Sequence, residues 1–243
     1  MDGWPQFVTA KASTTTTGMM ERQTPPIFIT GTGRSGTSMI AGMLHATGVF
    51  VGDHPPPTKH NRKGYFESTA MCEVIDRCFV ESGADRIGRD SFPPDDYLPA
   101  FDLRDAILHA RDSAGYIHGL WLLKHTKLAG VWRPLADAFP EAFWVICYRP
   151  RRHVLASFVA RGYEADTATK MIRFYGGQCT KIRTSRRTKS MQVPTAELID
   201  DPDQWVPHVL RRCRVDFTDL DKLTAAFNFI DPKLWHHRDK SLF

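Results

Sequence analysis

The apolar run Ile27-Phe28-Ile29-Thr30, followed by the glycine-rich stretch Gly31 to Ser38 (GTGRSGTS), constrains the fold more than any other part of the chain. A short buried strand that feeds a glycine-rich turn and then a helix gathers backbone N–H groups and the positive helix end around one point. That arrangement is a cradle for an anion. Gly31 and Gly36 fall at the spacing of the Walker A loop of nucleotide-binding proteins, and Ser38 falls at its hydroxyl position. The lysine position of that loop is Thr37 instead. Arg34 puts a cation inside the loop, with a planar fork suited to the paired oxygens of a phosphate or sulfonate. Taken alone, the pattern also fits an ordinary strand-turn-helix whose glycines serve only backbone geometry.

A second segment points the same way. Phe143-Trp144-Val145-Ile146-Cys147-Tyr148 is continuously apolar, as a strand buried on both faces of a parallel sheet must be. It ends at Arg149-Pro150, so Arg149 is expected at the carboxyl end of a strand, where open α/β sheets bind ligands. Ser157 lies eight positions further on, about two helical turns into the next element, and reaches the same anion only if the connection folds back. Without the first segment, Arg149, Arg151 and Arg152 would fit a solvated helix start equally well.

Strands are expected at 27–30, 121–123, 143–148 and 191–193. Helices are expected at 38–47, 68–82, 103–112, 131–139, 151–160, 165–177, 203–212 and 219–227, with a Pro- and His-rich loop at 53–63. Strands alternating with helices predict an α/β protein with three α/β/α layers around a central parallel sheet. A chain of 243 residues with 42% hydrophobic content supports one such domain, over residues 25–243. Residues 1–24, with the threonine run Thr14 to Thr17, read as a flexible leader.

Several function classes drop out on composition. The longest apolar stretches are too short to span a bilayer and nothing near Met1 resembles a signal peptide, so a cytoplasmic protein without a membrane partner is expected. The five cysteines are odd in number and lack CxxC spacing, which predicts reduced thiols and neither a disulfide framework nor a zinc site. No His, Asp or Glu spacing reads as a metal centre. A net charge of +5 favours anionic ligands without choosing among them. The basic run Lys181 to Lys189 lacks interleaved aromatics and reads as a solvated loop, so no nucleic-acid partner is expected.

Together the two main segments resemble the sulfotransferase family that uses 3′-phosphoadenosine 5′-phosphosulfate. Arg34 to Ser38 (RSGTS) is similar to the family's 5′-phosphosulfate loop, and Arg149-Pro150 with Ser157 is similar to its 3′-phosphate motif. Two further pieces resemble the bacterial and carbohydrate branch. Asn61-Arg62-Lys63-Gly64-Tyr65-Phe66-Glu67 is similar to Asn-Pro-x-Gly-Tyr-Phe-Glu, and Lys124-His125-Thr126-Lys127-Leu128 is similar to Lys-Asp-Pro-Arg-Leu. Arg62 stands where proline is usual, and His125-Thr126 where Asp-Pro is usual. The resemblance spans about residues 26–240.

The resemblance implies a P-loop nucleotide-hydrolase-like fold and metal-free transfer of a sulfuryl group to a hydroxyl acceptor: a glycan, a peptide tyrosine or a small metabolite. Gly33, Arg34, Ser35, Gly36, Thr37 and Ser38 would hold the 5′-phosphosulfate, and Arg149 with Ser157 the 3′-phosphate that remains on the product adenosine 3′,5′-bisphosphate. Arg34 and Lys124 would offset charge on the leaving oxygen, and Glu67 would accept the acceptor's proton. His54, His60 and His125 lie in the same neighbourhoods and have the better intrinsic pKa for that task, so the base stays open between them and Glu67. His236-His237-Arg238 is similar to a basic tail element of this branch. Two other readings remain: a P-loop kinase, which lacks its Walker lysine here, and a nucleotide- or nucleic-acid-binding module without catalysis.

Overall fold

A computed structural model describes residues 24–58 and 61–234. The expectations for the leader over residues 1–23, for His60 and for His236-His237-Arg238 lie outside these residues. Four parallel strands form one sheet: β1 (Ile27–Gly31), β2 (Leu122–Lys124), β3 (Phe143–Tyr148) and β4 (Lys189–Pro194), in the order β2-β1-β3-β4. Parallel neighbours need crossovers, and nine helices among the described residues provide and flank them. These are α1 (Thr37–Ala46), α2 (Thr69–Glu81), α3 (Leu103–Ser113), α4 (Trp132–Ala138), α5 (Arg151–Val159), α6 (Ala165–Thr184), α7 (Thr195–Asp200), α8 (Pro202–Arg212) and α9 (Leu220–Phe229).

Side chains alternate across a strand, so each strand feeds two cores. Phe28 and Trp144 point to a core built with α2, α3, α4 and α6, where their rings meet at 4.9 Å. Ile29 and Val145 point to the other, built with α1, α8 and α9. The result is the expected three-layer α/β/α arrangement. Register brings Ile29 opposite Lys124 on one side and Val145 on the other, so the carboxyl ends of β1, β2 and β3 open at the same edge.

Three elements differ from the expectation. Helix α6 does not stop at 177 but continues to Thr184, because Tyr175, Cys179 and Ile182 keep a buried stripe running past Gly176-Gly177. Lys181, Ile182, Arg183 and Thr184 therefore belong to a helix and not to a loop. A six-residue helix, α7, follows β4 where none was expected. The expected helix at 131–139 is preceded by a 3-10 turn over Thr126–Val131.

Candidate functional site

The phosphate loop is built on tight backbone contacts. Gly31 packs so closely that a Cβ there would lie 2.6 Å from the Cys147 carbonyl, and Gly36 sits at φ 90° against Thr195. Arg34 itself adopts φ 68°, a left-handed conformation that costs a non-glycine residue ~1–3 kcal/mol and accumulates at functional sites. Helix α1 starts directly after the loop with no side-chain cap, so its positive end and first N–H groups lie at the loop.

The structure brings the two sequence segments together. Arg34 Nε donates to Ser157 Oγ at 3.0 Å, and Arg149 Nη1 donates to the Arg34 carbonyl at 3.2 Å. Helix α5 thus folds back over the loop, as the reach of Ser157 requires. Burial lowers the pKa of both guanidinium groups, and burial together with the neighbouring Arg34 charge brings Arg149 down to about 10. A buried and a half-buried cation placed close together in this way are relieved by a bound anion.

Lys124, at the end of β2, carries the second cluster. Its ammonium donates to Ser38 Oγ at 3.2 Å, to the Tyr65 carbonyl at 3.1 Å and to Glu67 Oε1 at 2.6 Å, and the residue is only 3% exposed. Burial pushes the Glu67 carboxyl up, but Lys124, His125 and Lys127 together outweigh it and hold the group below its usual range. Glu67 is presented by Phe66, which sits at φ 56° and packs its ring on Phe229 at 5.5 Å.

His125 is held differently. Burial pushes it down to about 4, so the ring is neutral near pH 7, and its Nδ1 accepts from the Lys127 backbone N–H at 3.0 Å. The proton is then on Nε2, and neither nitrogen has a free lone pair for a base. His125 caps the 3-10 turn, a task that a short acceptor side chain such as aspartate also performs. His54 turns Nδ1 to the Gly52 carbonyl at 3.0 Å and packs on Phe66 at 5.2 Å.

Sequence reasoning missed several contributors. The Thr195 hydroxyl, fully buried at the start of α7, lies 2.9 Å from both the Ser35 and the Tyr148 carbonyls and bridges the loop to β3. A lone threonine after a strand carries no local signal of this. A cleft of about 210 Å³ runs along the loop, and beyond the expected Arg34, Ser38, Arg149 and Ser157 it is lined by Arg62 and Lys63. The acidic residue lining it is Asp231, so the lining is strongly cationic. Such a donor set fits a ligand with more than one phosphate-type group. No group of His, Cys, Asp and Glu among the described residues is arranged to hold a metal ion, and no described helix is long and apolar enough to cross a membrane.

Neither a known protein-family model nor any curated protein matches the sequence. Solved structures do match in fold. Sulfotransferase STF1 from Mycobacterium tuberculosis H37Rv aligns over 84% of this chain and 71% of its own, with TM-score 0.53 and 16% identity. The sulfotransferase domain of the Synechococcus PCC 7002 olefin synthase aligns over 89% of this chain and 84% of its own, with TM-score 0.54 and 17% identity. Sulfotransferase STF9 from Mycobacterium avium aligns over 88% and 69%, with TM-score 0.53 and 13% identity. The chain has a sulfotransferase fold. Within that fold the cleft, the loop and the Lys124–Glu67 pair all lie at the carboxyl edge of the sheet, where α/β proteins place their ligands.

Proposed function

We propose that this protein is a sulfotransferase that moves a sulfuryl group from 3′-phosphoadenosine 5′-phosphosulfate to a hydroxyl of a glycan, peptide tyrosine or small metabolite. The observation that carries the reading is the direct bond between the phosphate loop and the strand-end motif, Arg34 to Ser157, with Arg149 held on the loop backbone. One cleft then offers cations and N–H donors for two separate phosphate-type groups.

When bound, the donor supplies an activated sulfuryl group and a phosphate leaving group. The chain's part is to position and to neutralise charge, as in phosphoryl transfer. Gly33, Arg34, Ser35, Gly36, Thr37 and Ser38 form the loop around the 5′ end, and Arg149 with Ser157 takes the 3′-phosphate. Lys124, anchored on Ser38 Oγ, holds an ammonium beside the loop where negative charge develops on the leaving oxygen. Glu67, kept deprotonated by that same ammonium, takes the acceptor's proton.

A kinase reading has less support. Thr37 occupies the Walker lysine position, and β3 leads into Arg149 where P-loop kinases carry a carboxylate for Mg2+. Incubation with the 35S-labelled donor and a panel of hydroxyl acceptors, in EDTA, tests the proposal. Labelled product formed without metal supports it, and transfer of 32P from ATP in the same panel with Mg2+ contradicts it.

A further inference from the structure

A second cavity, of about 240 Å³, borders Arg149 as the cleft does. It lies between the carboxyl ends of β3 and β4 and one face of α6, and Arg149 lines both spaces. Gly176, Thr180 and Arg183 follow at spacings of four and three on α6, which sets them in one stripe facing the cavity. Gly176 leaves room beside the phosphate loop: a Cβ there would meet the Thr32 methyl at 3.7 Å. Arg151, the first residue of α5, and Gln192 of β4 complete the polar lining.

The charge of this cavity is one-sided. Arg149, Arg151 and Arg183 line it, and no carboxylate among the described residues does. On the same helix Lys181 pairs with Asp95, and just beyond it Arg187 pairs with Asp137. Arg151 and Arg183 have no such pair among the described residues. The Thr32 hydroxyl and the Gln192 amide add hydrogen-bonding capacity, while the Thr180 hydroxyl donates to the Gly176 carbonyl at 3.0 Å, and the space admits a group far larger than one water.

We propose that this cavity is an oxyanion subsite, separate from the donor cleft, that takes a phosphate- or sulfate-type group between Arg151 and Arg183. The basic run around Lys181 to Lys189 thereby gains a local purpose: α6 places its exposed Arg183 at the rim of this cavity. The proposal does not depend on which nucleotide the neighbouring cleft holds.

Inorganic phosphate, titrated and followed by 31P NMR, tests it in an Arg34→Ala/Ser38→Ala background that removes two of the cleft's own anion ligands. That background is expected to retain phosphate binding, and adding Arg151→Ala/Arg183→Ala is expected to weaken it tenfold or more, since each charge-assisted contact is worth about a decade in affinity. Both arginines are exposed, so the fold is not at stake. Absence of binding in the background, or binding that is no weaker after loss of both arginines, overturns the proposal. Competition with glucose 6-phosphate separates the two sources of such a group. Displacement identifies a subsite for the anionic group of a larger substrate, and failure to displace identifies a site for the free ion.

Discussion

Arg34 and Ser157, 123 positions apart in sequence, are joined by a 3.0 Å hydrogen bond from Nε to Oγ. The bond makes the glycine-rich loop and the segment after β3 one unit, so their contributions to the proposed nucleotide binding should not add. Arg34→Ala is expected to weaken adenosine 3′,5′-bisphosphate binding by ~1.5–3 kcal/mol, the worth of a charge-assisted bond. A calorimetric double-mutant cycle with Ser157→Ala should show coupling of 0.5 kcal/mol or more, on the order typical of residues in contact. Strict additivity would mean that the two side chains act separately on the ligand.

Glu67→Gln is expected to cut turnover by ~10²–10⁴-fold, the usual contribution of a positioned general base, while leaving cofactor affinity nearly unchanged. Because the Lys124 ammonium opposes the effect of burial, the wild-type carboxyl stays charged to below its ordinary range, and the rate falls only as pH drops through that depressed value. Lys124→Met removes the main opposition to burial and should move the acid limb of the pH–rate profile upward. An unmoved limb would assign the proton to another group.

His125 gives a stability signature. Its folded pKa of about 4 lies below the unfolded value of 6.5, so the unfolded chain binds the proton more readily and stability falls as pH drops below 6.5. Between pH 7 and pH 5 the wild type should lose about 2 kcal/mol more than His125→Gln in urea unfolding, by proton linkage. Equal losses would show that the ring is not buried neutral.

Thr195→Val removes the hydroxyl shared by the Ser35 and Tyr148 carbonyls at nearly constant shape. Leaving buried acceptors without that donor should cost ~1–3 kcal/mol in denaturant unfolding. The loss should be accompanied by weaker nucleotide binding, because Ser35 belongs to the phosphate loop. Destabilisation with unchanged binding would confine Thr195 to the scaffold.

What the sequence reveals follows from what is local. The strand, loop and helix from Ile27 to Ala46 and the run from Phe143 to Arg149 each contain their own pattern of apolar period, glycine spacing and terminal cation, and both appear in the structure as read. The end of α6 was hidden because Gly176-Gly177 imitates a helix stop, while the stripe that overrides it is a matter of packing against the sheet. Helix α7 is too short to show a period. Thr195 and the cleft-lining Arg62 and Lys63 act through partners far away in sequence, which no window along the chain can show. The task of His125 as a cap depended on the Lys127 N–H, a pairing visible only once the turn is formed.

The account stands most directly on which nucleotide the cleft selects. Titration calorimetry in EDTA with adenosine 3′,5′-bisphosphate, and in Mg2+ with ATP, compares the two chemistries on the intact protein. The account predicts metal-free binding of the bisphosphate, preferred over adenosine 5′-monophosphate, with that preference erased in Arg149→Ala/Ser157→Ala because only the bisphosphate carries the group those residues hold. Binding of ATP with Mg2+ and none of the bisphosphate would contradict it.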